Sequence, residues 1–315
     1  MKLSIKQTSG KGRIHCMNKV LAIIGPTATG KTACAVRLAK KFNGELVSAD
    51  SRQVYRGMDI GTGKDTETLE GIPMHLYDVV NPDEPFNISL YQTKAQTCIE
   101  DILKRKKLPI IVGGSGLYVH VLFHPLTIQI EPNETLRNEL SMLSKEALQK
   151  KLQEVGKDSW DALNFSDREN PRRLIRKIEI AMGNQKETKQ ELCPYDVLQI
   201  GLRLVADKLY PRIDARVEKR VSQGVIVEIQ TLLDHGYGWD LPSMSSLGYR
   251  QWKPYFDGLV EKASVIERWK YDEHAYARRQ MTWFRKDKTI RWFDIQKSGE
   301  MDAIESCVAS WYTHK

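Results

Sequence analysis

The chain has 315 residues and carries 48 Lys and Arg against 40 Asp and Glu, so its formal net charge is +8. With 41% hydrophobic and 28% charged residues, the composition excludes both a membrane protein and an intrinsically disordered chain. No apolar run approaches the ~20 residues that a membrane-spanning helix needs, so we expect no membrane partner. The surplus of positive charge favours a polyanionic partner, such as nucleic acid or a phosphorylated ligand.

The five cysteines are scattered and include no Cys-x-x-Cys pair. This usage is typical of a reduced, cytoplasmic protein with neither a disulfide framework nor a zinc site. His120 and His124 have the spacing of metal ligands on one helix face, but no third ligand is evident nearby. Residues 1–16 show no periodic pattern and no apolar segment, so we interpret them as a flexible tail and not as a secretory signal.

Short apolar runs alternate with helical stretches in the first half of the chain. Three of these runs predict buried parallel strands, at residues 20–24, 45–48 and 108–112. Helical spacing follows the first run at residues 32–42 and precedes the third at residues 89–107. The alternation predicts an α/β fold with a parallel sheet, whose ligands bind at the carboxyl ends of the strands.

The second half of the chain is mostly helical. Residues 124–168 have a charged helical pattern without a strand and predict a helical insertion domain. Strand patterns return at residues 197–205 and 289–295. The catalytic core is therefore expected to comprise residues 17–123 and 169–300.

A phosphate-binding motif follows the first predicted strand. Its residues, Gly25-Pro26-Thr27-Ala28-Thr29-Gly30-Lys31-Thr32, match G-x-x-x-x-G-K-[ST] in full. The glycines of such a loop let the backbone wrap a phosphate, and its amides face the anion at a helix N-terminus. Lys31 is expected to neutralise the phosphates and the Thr32 hydroxyl to ligate Mg²⁺. The motif predicts a P-loop three-layer fold, usually nucleotide-binding and ATP-binding, although the guanine-reading N-K-x-D signature is missing.

Asp50 comes directly after the second predicted strand, so we expect it at the same sheet edge as the phosphate loop. Two roles are open for this carboxylate on spacing alone. It could be a magnesium ligand or helix cap, or it could be a general base facing a substrate bound at the loop.

The sequence resembles the tRNA dimethylallyltransferases of bacterial type. Besides the phosphate loop, the similarity rests on blocks in the family's order at residues 50–55, 57–64, 73–78, 113–118, 173–179, 248–251 and 279–285. The resemblance implies transfer of a dimethylallyl group from dimethylallyl diphosphate to N6 of the adenosine 3′ of the anticodon in tRNA. It also implies Mg²⁺ as cofactor, and we expect a monomer because the motif spacing gives no sign of a dimer.

The resemblance assigns roles to individual residues. The catalytic residues would be Asp50 as general base, with Thr27 and Lys31. The diphosphate would bind at Gly25, Pro26, Thr27, Ala28, Thr29, Gly30, Lys31, Thr32 and Arg176. The tRNA, including a flipped adenine of the anticodon loop, would contact the insertion and Asp50, Ser51, Arg52, Gln53, Ser115, Arg137, Tyr249, Arg250, Gln280 and Trp283. Of Arg173 and Arg176, one is expected to face the diphosphate, while an ion pair with Glu179 is the alternative for the other.

Residues 278–291 hold six basic residues and one acidic residue around two aromatic ones, a pattern that favours RNA contact over a merely solvated helix face. Three other functions are open: an adenylate isopentenyltransferase, a P-loop kinase or nucleic-acid-dependent ATPase, and a non-catalytic RNA-binding protein with a relic loop. The basic C-terminal third argues against the first. The intact Lys31, Thr32 and Asp50 argue against the last.

Overall fold

The computed structural model describes residues 18–124, 133–183 and 193–314. They divide into two compact units: a core made of the first and third stretches, and an insertion made of the second. The tail predicted at residues 1–16 lies outside the described residues. Within the described part, no helix combines the length and the apolar character that crossing a membrane requires.

The core contains a six-stranded parallel sheet. Its strands are β1 (Asn18–Ile24), β2 (Gly44–Ser48), β3 (Met74–His75), β4 (Leu108–Gly113), β5 (Tyr195–Arg203) and β6 (Arg291–Asp294). They lie in the order β3-β2-β4-β1-β5-β6, and every adjacent pair is parallel. The predicted α/β fold with a parallel sheet is therefore confirmed. Only β3 was not predicted, because two residues are too few to show a hydrophobic period.

Helices connect and cover the strands. In chain order they are α1 (Lys31–Phe42), α2 (Ile88–Lys104), α3 (Gly116–Phe123), α4 (Glu134–Ser141), α5 (Lys145–Val155), α6 (Lys157–Asp161), α7 (Phe165–Arg168), α8 (Pro171–Met182), α9 (Ala206–Ser222), α10 (Val225–Asp234), α11 (Lys253–Phe256), α12 (Lys262–Phe284) and α13 (Glu300–Thr313).

The core sheet lies between helical layers because its central strands are apolar on both faces. Residues 20–24 of β1 are completely buried. Leu21 and Ile23 pack with α1 and α13 in one apolar cluster. Alternate residues of a strand point to opposite faces, so Val20 and Ala22 face the other side, where α2 packs on β2 and β4. All strands being parallel, the loops after β1, β2 and β4 meet at one sheet edge.

A second apolar cluster of the core joins α9, α10 and α12 to the segment that follows β2. Its largest fully buried side chains are Trp252, Trp269 and Tyr249. The cluster includes Val54 and Met58, which flank the start of the 57–64 block. This packing brings the C-terminal helices next to the sheet edge that carries the phosphate loop.

The insertion is an independent helical unit with its own apolar cluster. Leu148 and Leu152 of α5 pack there with Leu174 and Ile178 of α8. Among the described residues the unit comprises 133–183, so it includes α8 and continues past the boundary predicted at residue 168. An amphipathic pattern shows that α8 buries one face, but not which unit it packs with. The predicted tRNA contact of this unit stays a prediction.

Candidate functional site

The phosphate loop connects the buried strand β1 to helix α1. A Cβ at Gly25 would lie 2.3 Å from the carbonyl oxygen of Leu202 in β5, so only glycine fits at the start of the loop. Gly30 has φ +74°, a left-handed conformation that favours glycine, at the last position before α1. The first turn of α1 has no acidic residue, so its N-terminal amides offer an anion site without a competing carboxylate.

Lys31 folds back over the loop. Its Nζ donates a hydrogen bond to the carbonyl oxygen of Pro26 at 2.7 Å, and the Thr29 hydroxyl donates to the same oxygen at 2.9 Å. Burial and the nearby Arg216 guanidinium lower the pKa of Lys31 to about 7. The hydrogen bond to Pro26 holds Nζ over the loop, where a phosphate oxygen could replace the carbonyl as its partner.

Two side chains from the C-terminal helices hold the loop at Thr27. The Oε1 atom of Gln280 on α12 accepts a hydrogen bond from the Thr27 amide at 2.9 Å, while its Nε2 donates to the Gly114 carbonyl at 3.0 Å. Arg216 on α9 donates from Nη1 to the Thr27 hydroxyl at 3.0 Å and pairs with Asp65 at 2.7 Å. The loop is thus fixed from outside its own motif.

One cavity of about 440 Å³ joins the loop to the ends of β2 and β4. Its volume lies within the range of small-molecule sites. The lining includes Thr27, Ala28, Gly30, Lys31, Thr32, Asp50, Ser51, Arg52, Gln53, Arg250 and Gln280, together with Arg216, Arg220, Glu273 and Tyr276. The structure therefore brings the predicted base and the predicted phosphate site to one place.

Asp50 is half-buried in this cavity, and its Oδ1 accepts a hydrogen bond from the amide of Arg52 at 2.9 Å. Other acidic side chains that line the cavity are neutralised: Asp65 pairs with Arg216, and Glu273 pairs with Arg220. Burial, followed by the charge of Asp50, raises the pKa of Tyr276, so this phenol stays protonated at neutral pH. The geometry makes Asp50 the best-placed proton acceptor among the described residues of the cavity.

The residues around Asp50 are ordered by hydrogen bonds within the protein. The Ser51 amide donates to the Ser115 hydroxyl oxygen at 3.3 Å, and Arg52 donates from Nη1 to the Pro242 carbonyl at 2.9 Å. Gln53 donates from Nε2 to the Gly63 carbonyl at 3.0 Å and accepts from the Ser48 hydroxyl. Their predicted contacts with tRNA stay predictions.

The prediction that Tyr249 contacts tRNA is wrong. Its side chain is fully buried in the cluster around Trp252 and Trp269, and its hydroxyl donates to Glu228 at 2.6 Å. The prediction rested on the resemblance of the 248–251 block to the family, and that block holds both the buried Tyr249 and the exposed Arg250.

Gln280 and Trp283 occupy different situations on α12. Gln280 is buried, with both ends of its amide bonded inside the protein, so the structure gives it a role in holding the loop. Trp283 is 41% exposed, and its ring covers Gly116, where a Cβ would approach Cδ1 to 2.0 Å. A base could stack on the open part of this ring.

Within the insertion, the buried carboxylate of Glu179 is a centre of arginine pairing. Arg137 donates to it at 2.9 Å, Arg176 also pairs with it, and the Asn133 amide donates at 2.7 Å. Arg173 pairs instead with Asp167. The ion pair with Glu179 is thus present, and the diphosphate contact of Arg176 and the tRNA contact of Arg137 stay predictions.

The donor set suits a magnesium ion that is mostly ligated by substrate and water. Among the described residues, no group of three or more His, Cys, Asp or Glu is positioned to hold a metal. Mg²⁺ commonly takes only one or two protein oxygens and completes its shell with phosphates and water. The Thr32 hydroxyl at the cavity wall fits that mode, whereas the stacked rings of His120 and His124 have no third ligand in the described part.

Sequence reasoning missed Arg216, as it missed the other cavity residues Arg220, Glu273 and Tyr276. Arg216 lies on α9, an amphipathic helix with several arginines, and nothing in its local pattern distinguishes it from a solvent-exposed basic residue. The fold alone reveals its contact with Thr27.

Comparisons with known proteins identify the family to which the chain is similar. Residues 53–287 match the family model described as IPP transferase, and residues 18–73 match that of isopentenyl transferase. A tRNA dimethylallyltransferase of Roseiflexus sp. (strain RS-1) is 42% identical over 94% of this chain and 99% of its own.

Solved structures agree as well. The full-length tRNA isopentenylpyrophosphate transferase of Bacillus halodurans is 38% identical, with a TM-score of 0.71 over 93% of this chain and 96% of its own. A eukaryotic dimethylallyltransferase, solved while acting on tRNA, is 26% identical, with a TM-score of 0.77 over 93% of this chain and 78% of its own. The phosphate loop, the cavity and these likenesses over nearly the full length together show that the chain belongs to the tRNA dimethylallyltransferase family.

Proposed function

We propose that this protein transfers a dimethylallyl group from dimethylallyl diphosphate to N6 of the adenosine 3′ of the anticodon in tRNA. The observation that carries the proposal is the single cavity in which the phosphate loop meets Asp50. The names of the similar proteins support the same reaction.

The diphosphate end of the donor binds at the phosphate loop. Backbone amides at the start of α1 receive the phosphate oxygens, and the Lys31 ammonium moves from the Pro26 carbonyl to the anion. The Arg216 guanidinium, which touches Thr27, stabilises the charge that develops on the departing diphosphate. Bound Mg²⁺, held through the Thr32 hydroxyl, would supply further charge neutralisation for the phosphates.

Asp50 takes the proton of the attacking amine. An adenine amine is a poor nucleophile, and it gains strength when a carboxylate accepts its proton in the transition state. The N6 lone pair forms the bond to C1 of the dimethylallyl group while the C1–O bond breaks. The electrons of that bond go to the diphosphate, and the N6 proton goes to Asp50. The adenine must first leave the stack of the anticodon loop, as bases do in enzymes that modify them.

The acceptor is proposed to bind along the exposed basic side chains that end α12 and follow it. Arg278, Arg279, Arg285 and Lys286 are all exposed there, beside the partly open Trp283 ring. Because the spacing of the motifs gives no sign of a dimer and the scattered cysteines are typical of a reduced compartment, we propose that the enzyme acts as a monomer in the cytoplasm.

The decisive experiment supplies Mg²⁺ and dimethylallyl diphosphate with either unmodified tRNA or AMP, and analyses the nucleosides by mass spectrometry. The expected product is N6-dimethylallyladenosine in tRNA alone. Alkylation of AMP alone would replace this proposal with an adenylate isopentenyltransferase. Hydrolysis of ATP without any alkylation would replace it with an ATPase.

The Asp50→Asn variant tests the base. An Asn side chain can still accept the Arg52 amide, so the turn is kept while the proton acceptor is lost. We expect kcat to fall by about 10²- to 10⁴-fold, with tRNA affinity unchanged in a filter-binding assay. A parallel loss of tRNA affinity would show that Asp50 is structural.

A further inference from the structure

Residues 57–65 contain no helix or strand, and Gly61, Thr62, Gly63 and Asp65 among them form one wall of the cavity. The Gly63 carbonyl in this wall accepts hydrogen bonds from Gln53 Nε2 at 3.0 Å and from Arg216 Nη2 at 3.2 Å. The same guanidinium donates from Nη1 to the Thr27 hydroxyl. The position of the wall therefore sets the direction of the Arg216 side chain toward the phosphate loop.

One carboxylate outside the cavity holds this wall. Glu228 on α10 is not among the described residues that line the cavity. Its Oε2 accepts from the amides of Asp59 at 2.9 Å and Ile60 at 2.7 Å, and its Oε1 accepts from the amide of Gly61 at 3.0 Å. Three successive amides that converge on one anion form an anion-binding nest, which a side chain of the protein itself fills here.

Two further contacts fix the carboxylate and the wall. The buried Tyr249 hydroxyl donates to Glu228 Oε1 at 2.6 Å, and its ring covers Gly61 so closely that a Cβ there would lie 2.4 Å from it. Beyond the nest, the buried Lys64 ammonium donates to Asp59 at 2.7 Å. Glu228 thus completes a clamp in which a hydroxyl and three amides meet on one charge.

We propose that Glu228 is a positioning residue for the prenyl transfer, acting through the Gly63 carbonyl on Arg216; the inference rests on the function proposed above. Four donors on a carboxylate make a charge-assisted network that resists displacement of the wall. Without it, the Gly63 carbonyl is free to shift, and the guanidinium loses its alignment with the leaving diphosphate. A displacement of about 1 Å is enough to slow a reaction that depends on oriented charges.

The first test needs no substrate. Glu228→Gln keeps the size of the side chain but turns one acceptor oxygen into an NH₂ group that faces backbone amides. In hydrogen–deuterium exchange, we expect the amides of residues 59–61 to exchange about 10-fold faster than in the wild type. Asp234→Asn, on the same helix and exposed, is the matched control and should leave them unchanged. Unchanged exchange rates of these amides in Glu228→Gln would show that Glu228 does not hold the wall and would overturn the proposal.

The second test is kinetic. Glu228→Gln should lower kcat by about 10- to 100-fold with the KM for tRNA unchanged. In an Arg216→Ala background the same substitution should have little further effect, because the two residues act in series. Equal losses in both backgrounds would show a merely structural role and overturn the proposal.

A milder variant covers the case in which Glu228→Gln does not fold. Tyr249→Phe removes only the hydroxyl that donates to Glu228, and it should give a smaller fall in kcat that again vanishes without Arg216. A wild-type kcat in Tyr249→Phe would then overturn the proposal. Absence of any transfer by the wild type refutes the proposed function instead, and the exchange measurement still decides whether Glu228 holds the wall.

Discussion

Lys31 shows how one residue can respond to its ligand. Its Nζ donates a hydrogen bond to the Pro26 carbonyl, and burial together with Arg216 lowers its pKa to about 7. A bound diphosphate favours the charged ammonium and therefore raises this pKa. Binding of the donor should be accompanied by uptake of a proton wherever free Lys31 is already neutral.

This coupling predicts a pH-dependent affinity for dimethylallyl diphosphate in the absence of tRNA. Below the free pKa of Lys31 the affinity should be constant, and above it the affinity should fall by up to about 10-fold per pH unit. Calorimetric titration in buffers of different ionisation enthalpy measures the proton uptake directly. Lys31→Arg keeps its charge, so its affinity should lack this slope. The same slope in both proteins would place the titration elsewhere.

At the scale of elements, a cluster of charges around one buried carboxylate links β2 to its neighbours near the amino end of the sheet. Glu45 in β2 is almost fully buried and pairs with Arg105 at the end of α2, with Lys107 at 2.7 Å and with His75 at 2.8 Å. The hydrogen bond from Arg105, helped by Lys107 and His75, holds the pKa of Glu45 far below its usual value. The carboxylate therefore stays charged well into the acid range.

A lowered carboxylate pKa contributes stability above the usual pKa, and this contribution is lost as the pH falls toward the folded-state value. We expect the free energy of unfolding to decline below about pH 5, and Glu45→Gln to flatten part of that decline. At neutral pH the same substitution should destabilise the protein by about 2 kcal/mol, since it removes charge-assisted hydrogen bonds that Arg105, Lys107 and His75 make to a buried carboxylate. Glu70→Gln, which breaks an exposed pair with Lys40, is the control and should change little in urea denaturation.

Patterns local to the chain were the ones that sequence reasoning could interpret. The strands with long apolar runs and the phosphate loop were predicted because their signals lie within a few adjacent residues. Arg216 and Glu228 were not, since their partners in the phosphate loop and in the 57–65 segment are more than 150 positions away and their own helices look ordinary. The assignment of α8 to the core failed for the same reason, because the apolar face of a helix does not show which element it packs against.

For the whole molecule, the proposed function assigns the net charge of +8 to two anions of different shape. The compact diphosphate would bind in a cavity with amides, Lys31 and Arg216. An extended RNA backbone needs separate cations on the surface, and such residues cluster around the end of α12. Affinity for RNA should therefore depend on salt far more steeply than affinity for the donor, because many counterions are released.

Single substitutions can separate the contributions of individual cations to the salt dependence of tRNA affinity. Arg279→Ala and Lys286→Ala should each reduce the slope of log affinity for tRNA against log salt by about one. Both side chains are exposed beside the site, with Lys286 5.9 Å from the centre of the Trp283 ring. Lys104→Ala removes an exposed cation near the amino edge of the sheet, away from the loop, and should leave the slope as it is. An equal effect of all three variants would mean that only net charge matters.

The hydrogen bonds of Gln280, which brace the phosphate loop, also show how far the eight-residue motif determines the geometry of the loop. One carboxamide, that of Gln280, ties the amide of Thr27 to the carbonyl of Gly114, and it enters the chain about 250 residues after the loop. A fragment with the complete motif but without α12 would lose this brace. The loop of this protein is therefore not a portable module. The geometry of the loop depends on tertiary contacts that form only when α12 has packed against it.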